Sequence, residues 1–139
     1  MKKDADKKEI FIEAPKRDDV LKLTEFLEQT MENMGISMKV MNKVQVSADE
    51  IFSNIVHYSG ASKAGISLKR TDTGIEVEFC DDGEAFDPTE TEKPDITLPA
   101  DQREIGGLGI FMVKKMTSEM RYEYKEGWNV LTLVFETGM

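Results

Sequence analysis

Glu50 and Asn54 lie one helical turn apart in the run SADEIFSNIVHY, Ser47–Tyr58. A positioned carboxylate can take up a proton. An amide oxygen can help hold a hard cation such as Mg²⁺, which prefers oxygen ligands and keeps several of its waters. Ser47, Glu50, Asn54 and His57 recur at spacings of three, four and three, which draws one polar stripe along a helix. Val44, Ala48, Ile51 and Ile55 recur at four, three and four, an apolar stripe beside it. A solvated polar face would show the same pattern, because E-x-x-x-N alone is a weak signal.

Two further stretches carry chemistry. Asp81-Asp82-Gly83 follows directly on an alternating strand pattern. A buried Asp81 there can accept a hydrogen bond from an exocyclic amine, and Gly83 lets a flat ring approach the chain; a plain Asp-Gly turn is the alternative. Ile105-Gly106-Gly107-Leu108-Gly109 opens an apolar helix. Free N–H groups and a partial positive charge at a helix start suit phosphate, although glycines also serve tight turns. The run is neither a P-loop nor the dinucleotide fingerprint, since Met112 stands where the third glycine of the latter belongs.

The elements that must position these residues follow from periodicity. Glu9–Ala14 reads as a strand ended by Pro15, and Arg17–Asn33 as a helix burying Val20, Leu23, Leu27 and Met31. Met31, Met34, Met38 and Met41 read as filler where two helices meet. Gly35 stops the first helix and Ser37 caps the next, which runs to about Tyr58. Ala64–Lys69 and Ile75–Cys80 alternate and form a hairpin. An irregular acidic stretch from Thr89 to Glu104 has the length of a functional lid. A helix from Ile110 to about Thr117 and strands at 120–125 and 128–135 complete the chain. This order predicts an α+β two-layer sandwich, its sheet mixed but largely antiparallel, with helices on one face. It predicts a polar disordered leader over residues 1–8 and a single domain over 9–139.

Composition narrows the function. The chain has 139 residues and a formal net charge of −9, which argues against a basic nucleic-acid or membrane-binding surface. Cys80 is the only cysteine, so an intrachain disulfide is excluded and a reduced, cytoplasmic setting is expected. With one His and one Cys, a clustered Cys/His zinc site has little support. No apolar run approaches a membrane span and the start is not a signal peptide.

Taken in order, Glu50 and Asn54, Asp81-x-Gly83, and Gly107-x-Gly109 after a lid resemble the nucleotide-binding boxes of the GHKL superfamily, which includes gyrase B subunits and histidine kinases. DEIFSNIVHY, FCDDGEAFDP and GGLGIFMVKKMTSEMRYEYKEGWNVLTLVF resemble more narrowly the bacterial anti-sigma-factor serine kinases, over about Ile10–Phe135. Tyr58 follows His57 directly, where that family usually has a small residue between. The resemblance implies the Bergerat ATP-binding fold and a protein serine/threonine kinase using ATP and Mg²⁺. It implies that Asn54 ligates the metal and that Glu50 takes the proton from a target serine. Asp81 would hold the adenine amine, Gly83 would leave room for the ring, and Gly107 and Gly109 would cradle phosphate, with Arg103 reaching a phosphate from the lid. The implied partners are a STAS-type anti-sigma antagonist, a sigma factor and a second copy of the chain. An ATP-binding anti-sigma or adaptor module without kinase activity, and a stand-alone histidine-kinase-like ATPase domain, are the alternative outputs.

Overall fold

An alternating strand buries one face, and the strands over 74–81 and 128–136 do so in register. The computed structural model describes residues 7–90 and 107–136. In chain order the elements are β1 (Lys7–Glu13), α1 (Val20–Asn33), α2 (Met38–Asn54), β2 (Lys63–Arg70), β3 (Gly74–Asp81), α3 (Gly107–Met116), β4 (Glu119–Lys125) and β5 (Trp128–Glu136). The strands make one sheet in the order β1-β2-β3-β5-β4, and every described pairing is antiparallel. The helices pack on one side, giving the expected α+β sandwich. β1 starts at Lys7, two residues before the expected Glu9, because Lys7 and Lys8 pair with Lys69 and Leu68.

The register builds apolar rows across the covered face. Leu68, Val77 and Leu133 form one row, and Ile66, Phe79 and Leu131 the next. Ile12, Ala64, Asp81 and Asn129 form the row at the sheet's end. All of these residues are buried, so the last row carries two polar side chains inside the core boundary. α1 lays Leu23, Leu27 and Met31 on this face, and α2 lays down Val44, Ala48, Ile51, Phe52 and others. Burying a side chain of that size contributes roughly 1.5–3 kcal/mol. Of the four methionines read as filler, Met31 and Met41 are buried and Met34 is packed at the edge, whereas Met38 is exposed. Its position at the first residue of α2 turns it off the apolar stripe.

Local signals set the helix ends. Gly35 has φ +72° and ends α1. Ser37 caps α2, its Oγ accepting from the Val40 N–H at 3.3 Å. The α-helical hydrogen bonding of α2 ends at Asn54, and Ile55–Ser59 widens into a π-helical turn that closes on Gly60 at φ +67°. Such turns recur at functional sites, and this one carries His57 and Tyr58. α3 begins at Gly107, three residues before the expected Ile110, so Gly107 and Gly109 belong to its first turn. Glycine's low helix propensity argues for the later start; packing against α2 overrides it. Among the described residues no helix is long and apolar enough to cross a membrane. Arg103 and most of the expected lid lie outside the described residues.

Candidate functional site

α2 is the hub of the site. Its buried stripe fixes its rotation, which leaves Glu50 and Asn54 partly buried beside the core. Asn54 stands one helical turn beyond Glu50 on the same stripe of α2. Burial pushes the Glu50 carboxyl above its ordinary value, the Asn54 hydrogen bond pulls it back, and the charge of Asp49 adds to the rise. A carboxylate raised in this way is a better proton acceptor than one in water.

α3 meets that carboxylate through a glycine. A Cβ on Gly109 would stand 2.1 Å from both Cδ and Oε1 of Glu50. Only a residue without a side chain lets the first turn of α3 lie on the carboxyl, which puts the glycine-rich helix start and the α2 acid at one point. Gly107 opens the same turn. Farther along, the Lys114 ammonium donates to the Thr89 carbonyl at 2.7 Å and ties α3 to the short turn Pro88–Glu90.

The third motif joins from the end of β3, which runs through Asp81 rather than breaking there. Asp81 Oδ1 accepts from the Gly83 N–H at 2.9 Å and from the Asn129 amide at 3.1 Å. Burial pushes the Asp81 carboxyl up, these two donors and the Ser59 hydroxyl pull it down, and Asp82 adds to the rise. Asp82 has a different task. It accepts from the backbone N–H groups of Ser62 and Lys63 at 2.7 and 2.9 Å and from the Ser62 hydroxyl, and so fastens the start of β2. The Ser62 hydroxyl and those N–H groups hold the Asp82 carboxyl below its ordinary value.

Gly83 has a packing reason of its own. A Cβ there would stand 2.2 Å from the Ser59 carbonyl oxygen, the same oxygen that accepts the Glu84 N–H at 2.8 Å. The π-helical turn after Asn54 therefore bolts α2 to the Asp81 loop. In the same loop Asp87 accepts from the Thr89 backbone and hydroxyl, and Pro88 is buried. Of the residues singled out in the sequence, Gly109 meets Glu50, Asn54 lies one turn along the same helix, Gly107 opens the turn that holds Gly109, and Asp81 and Gly83 share a loop that packs on Ser59. It missed Asn129, which shares strand parity with buried Leu131, Leu133 and Phe135. A polar residue on an apolar row was the available signal. His57 lies off the cluster, exposed, its Nε2 3.3 Å from Arg17 Nη1.

The donor set suits a hard cation shared with a ligand. Among the described residues no three His, Cys, Asp or Glu side chains gather at one point. An ion at Asn54 would therefore complete its shell from water and ligand oxygens, as Mg²⁺ commonly does.

Comparison with known proteins bears on family and fold. The family profile of the histidine kinase-like ATPase domain matches residues 14–135. The serine/threonine-protein kinase BtrW of Bordetella bronchiseptica is 27% identical over 101 residues, covering 70% of this chain and 71% of its own. The serine-protein kinase RsbW of Listeria monocytogenes is 26% identical over 106 residues, covering 70% of this chain and 67% of its own. A crystal structure of the RsbU and RsbW domains of a Mycobacterium tuberculosis protein has the same fold, with a TM-score of 0.67 at 14% identity. That match covers 94% of this chain and 32% of the other.

Proposed function

This chain belongs to the histidine kinase-like ATPase domain family, and from that premise we propose that it is an ATP-dependent protein serine/threonine kinase. Its proposed substrate is a STAS-type anti-sigma antagonist, and its proposed second role is to hold a sigma factor. Following the same resemblance, it works in the cytoplasm as a homodimer. The kinase names of its relatives support ATP use. The observation that carries the reading is the contact of Gly109 with the Glu50 carboxyl, beside Asn54. It sets Glu50 against the first turn of α3, which supports this reading.

In this reading the serine oxygen of the partner attacks the terminal phosphorus of ATP. The bond from that phosphorus to the bridging oxygen of ADP breaks, and the serine proton passes to Glu50. Asn54 would hold Mg²⁺, which when bound supplies charge neutralisation at the phosphate oxygens. The first turn of α3, from Gly107 through Gly109, offers its N–H groups to phosphate. Arg103, outside the described residues, would add a cation. Asp81 accepts from the adenine amine, and Gly83 keeps its loop low enough for the ring.

The test is phosphotransfer from terminally labelled ATP to a panel of STAS-domain proteins, with nucleotide affinity followed by calorimetry. Wild type is expected to label a serine. Glu50→Gln is expected to lower transfer by about 10²–10⁴-fold, the usual contribution of a general base, while still binding nucleotide. Asn54→Ala is expected to weaken Mg-ATP binding. Transfer by Glu50→Gln at the wild-type rate would remove Glu50 from the mechanism, and absence of nucleotide binding by wild type would overturn the reading.

A further inference from the structure

Gly109 meets the Glu50 carboxyl, and from that point α2 and α3 run in opposite directions. α2 leads toward the Asp81 end of the sheet, where the turn after it closes and the Ser59 carbonyl accepts from the Glu84 N–H at 2.8 Å. α3 leads the other way, since Ser118 just beyond it donates its N–H to the Val134 carbonyl at 2.8 Å. Asn129 pairs with Asp81 and Val134 with Glu76, so the two ends stand about 17 Å apart along β5. The preceding turn of α2 and the next turn of α3 therefore leave the contact on the same side. Val46 stands on the first, four residues before Glu50, and Met112 on the second, three residues after Gly109. At those spacings each is a neighbour of the contact on its own helix face. Both side chains are exposed, at 56% and 50%.

Single exposed apolar side chains are ordinary. These two are set apart by their distance from the reacting group. A serine that gives its proton to Glu50 must bring its oxygen within about 3 Å of the carboxyl. Each further residue of an extended chain reaches about 3.3–3.6 Å more. Residues up to two positions from that serine therefore span the ground one helical turn, about 5.4 Å, from Glu50. A segment that follows the seam between α2 and α3 covers both Val46 and Met112. We propose that these two residues form a docking edge for the serine-bearing segment of the protein substrate, receiving an apolar side chain that lies within two positions of the acceptor serine. The proposal rests on the reading of Glu50 as the base of phosphotransfer. Neither side chain offers a strong hydrogen bond, so a polar group set against them gives up water without a partner, whereas an apolar one gains by burial. Met112 is flexible enough to fit more than one such side chain. The edge thus selects substrates by what flanks the serine, not by the serine itself.

The experiment is steady-state phosphotransfer from Mg-ATP by the full chain, using the STAS-domain protein that wild type labels in the panel above. The labelled serine is located by mass spectrometry. Val46→Gln and Met112→Gln add no charge near Glu50 and put a good helix former at an exposed position, so the melting temperature and Mg-ATP affinity are expected to match wild type. Together they are expected to raise KM for the protein substrate by about tenfold or more, the scale on which apolar pockets discriminate, with kcat kept. Val46→Ile with Met112→Leu is expected to keep the wild-type KM. Changing the substrate's apolar residue nearest the labelled serine to Gln is expected to raise KM in the same way, and to add little on top of the double variant. A merely structural role would instead lower the melting temperature or Mg-ATP affinity. An unchanged KM in the double variant, a labelled serine with no apolar residue within two positions, or a changed oligomeric state with KM unmoved overturns the proposal and leaves the kinase reading standing. No labelling of any panel member by wild type overturns the kinase reading and this proposal with it.

Discussion

Gly109→Ala separates catalysis from folding more sharply than any other single change in this chain. The new Cβ would stand 2.1 Å from Glu50 Cδ, where ordinary contact begins near 3.4 Å, so the carboxyl must retreat by about 1.3 Å. It can do so, because it is the free end of a flexible side chain. The rotamer adjustment costs on the order of 0.5–1.5 kcal/mol. Alanine in place of glycine returns roughly 0.5–1 kcal/mol of helix propensity. The two nearly cancel, so the melting temperature is expected to stay within a few degrees of wild type. Catalysis has no such offset. A misplacement of about 1 Å in a positioned group costs about 10²-fold in rate, or ~2.7 kcal/mol of barrier. The assay is single-turnover phosphotransfer at saturating nucleotide, paired with thermal melting and nucleotide titration. A rate within threefold of wild type, or a collapse of the fold, would refute the geometric argument that Gly109 exists to seat Glu50.

Other outcomes follow from the same coordinates. Glu50 must be ionised to accept a proton, and burial raises its carboxyl, so the transfer rate should fall on the acid side with a midpoint above the usual ~4.3; a flat profile there excludes Glu50 as the base. Asp81 is also raised by burial. The stability it contributes is therefore full below its unfolded value and lost as pH rises through the folded one. Asp81→Asn should thus be at least as stable as wild type at neutral pH in thermal melts while losing nucleotide affinity by tenfold or more (about 1.4 kcal/mol). Ser47→Ala should stabilise by about 1 kcal/mol in denaturant unfolding, because the Ser47 hydroxyl is buried with no hydrogen-bond partner among the described residues. Gly74→Ala should destabilise by roughly 3 kcal/mol or more, since its Cβ would stand 1.9 Å from the Phe135 carbonyl oxygen and backbone cannot yield as a side chain does.

What was legible from the sequence was what depends on local periodicity. The stripe Val44, Ala48, Ile51 and Ile55 is buried as its spacing requires, and the alternation over 75–80 and 128–135 is the one the strands show, with Leu131, Leu133 and Phe135 inward. Ser37 and Gly35 mark helix ends by mechanisms that act within a turn. The order of the three motifs was legible, and the proposed site rests on it. Contacts between distant segments were not legible. Nothing near Gly109 announces Glu50, and nothing near Gly83 announces Ser59. Asn129 looks like a strand-end polar residue until its parity with Leu131 is taken seriously. The π-helical turn at Ile55–Ser59 has no composition signal of its own. It is a response to the need to bring Ser59 against the Asp81 loop.

The site is cheap to hold in place because it uses the core's own geometry. Asp81 and Asn129 are the polar end of the row that begins with Ile12 and Ala64, so the packing that orders Ile66, Phe79 and Leu131 also orders them. Glu50 sits one residue before buried Ile51 and two before fully buried Phe52, so its position is set by side chains that never touch a ligand. A raised Glu50, a raised Asp81 and a Ser47 hydroxyl with no partner among the described residues each cost stability. Two of the three lie on α2, the helix with the most buried residues. That is where such a cost is most easily offset, and it is why substitutions that relax the site should stabilise the fold rather than weaken it.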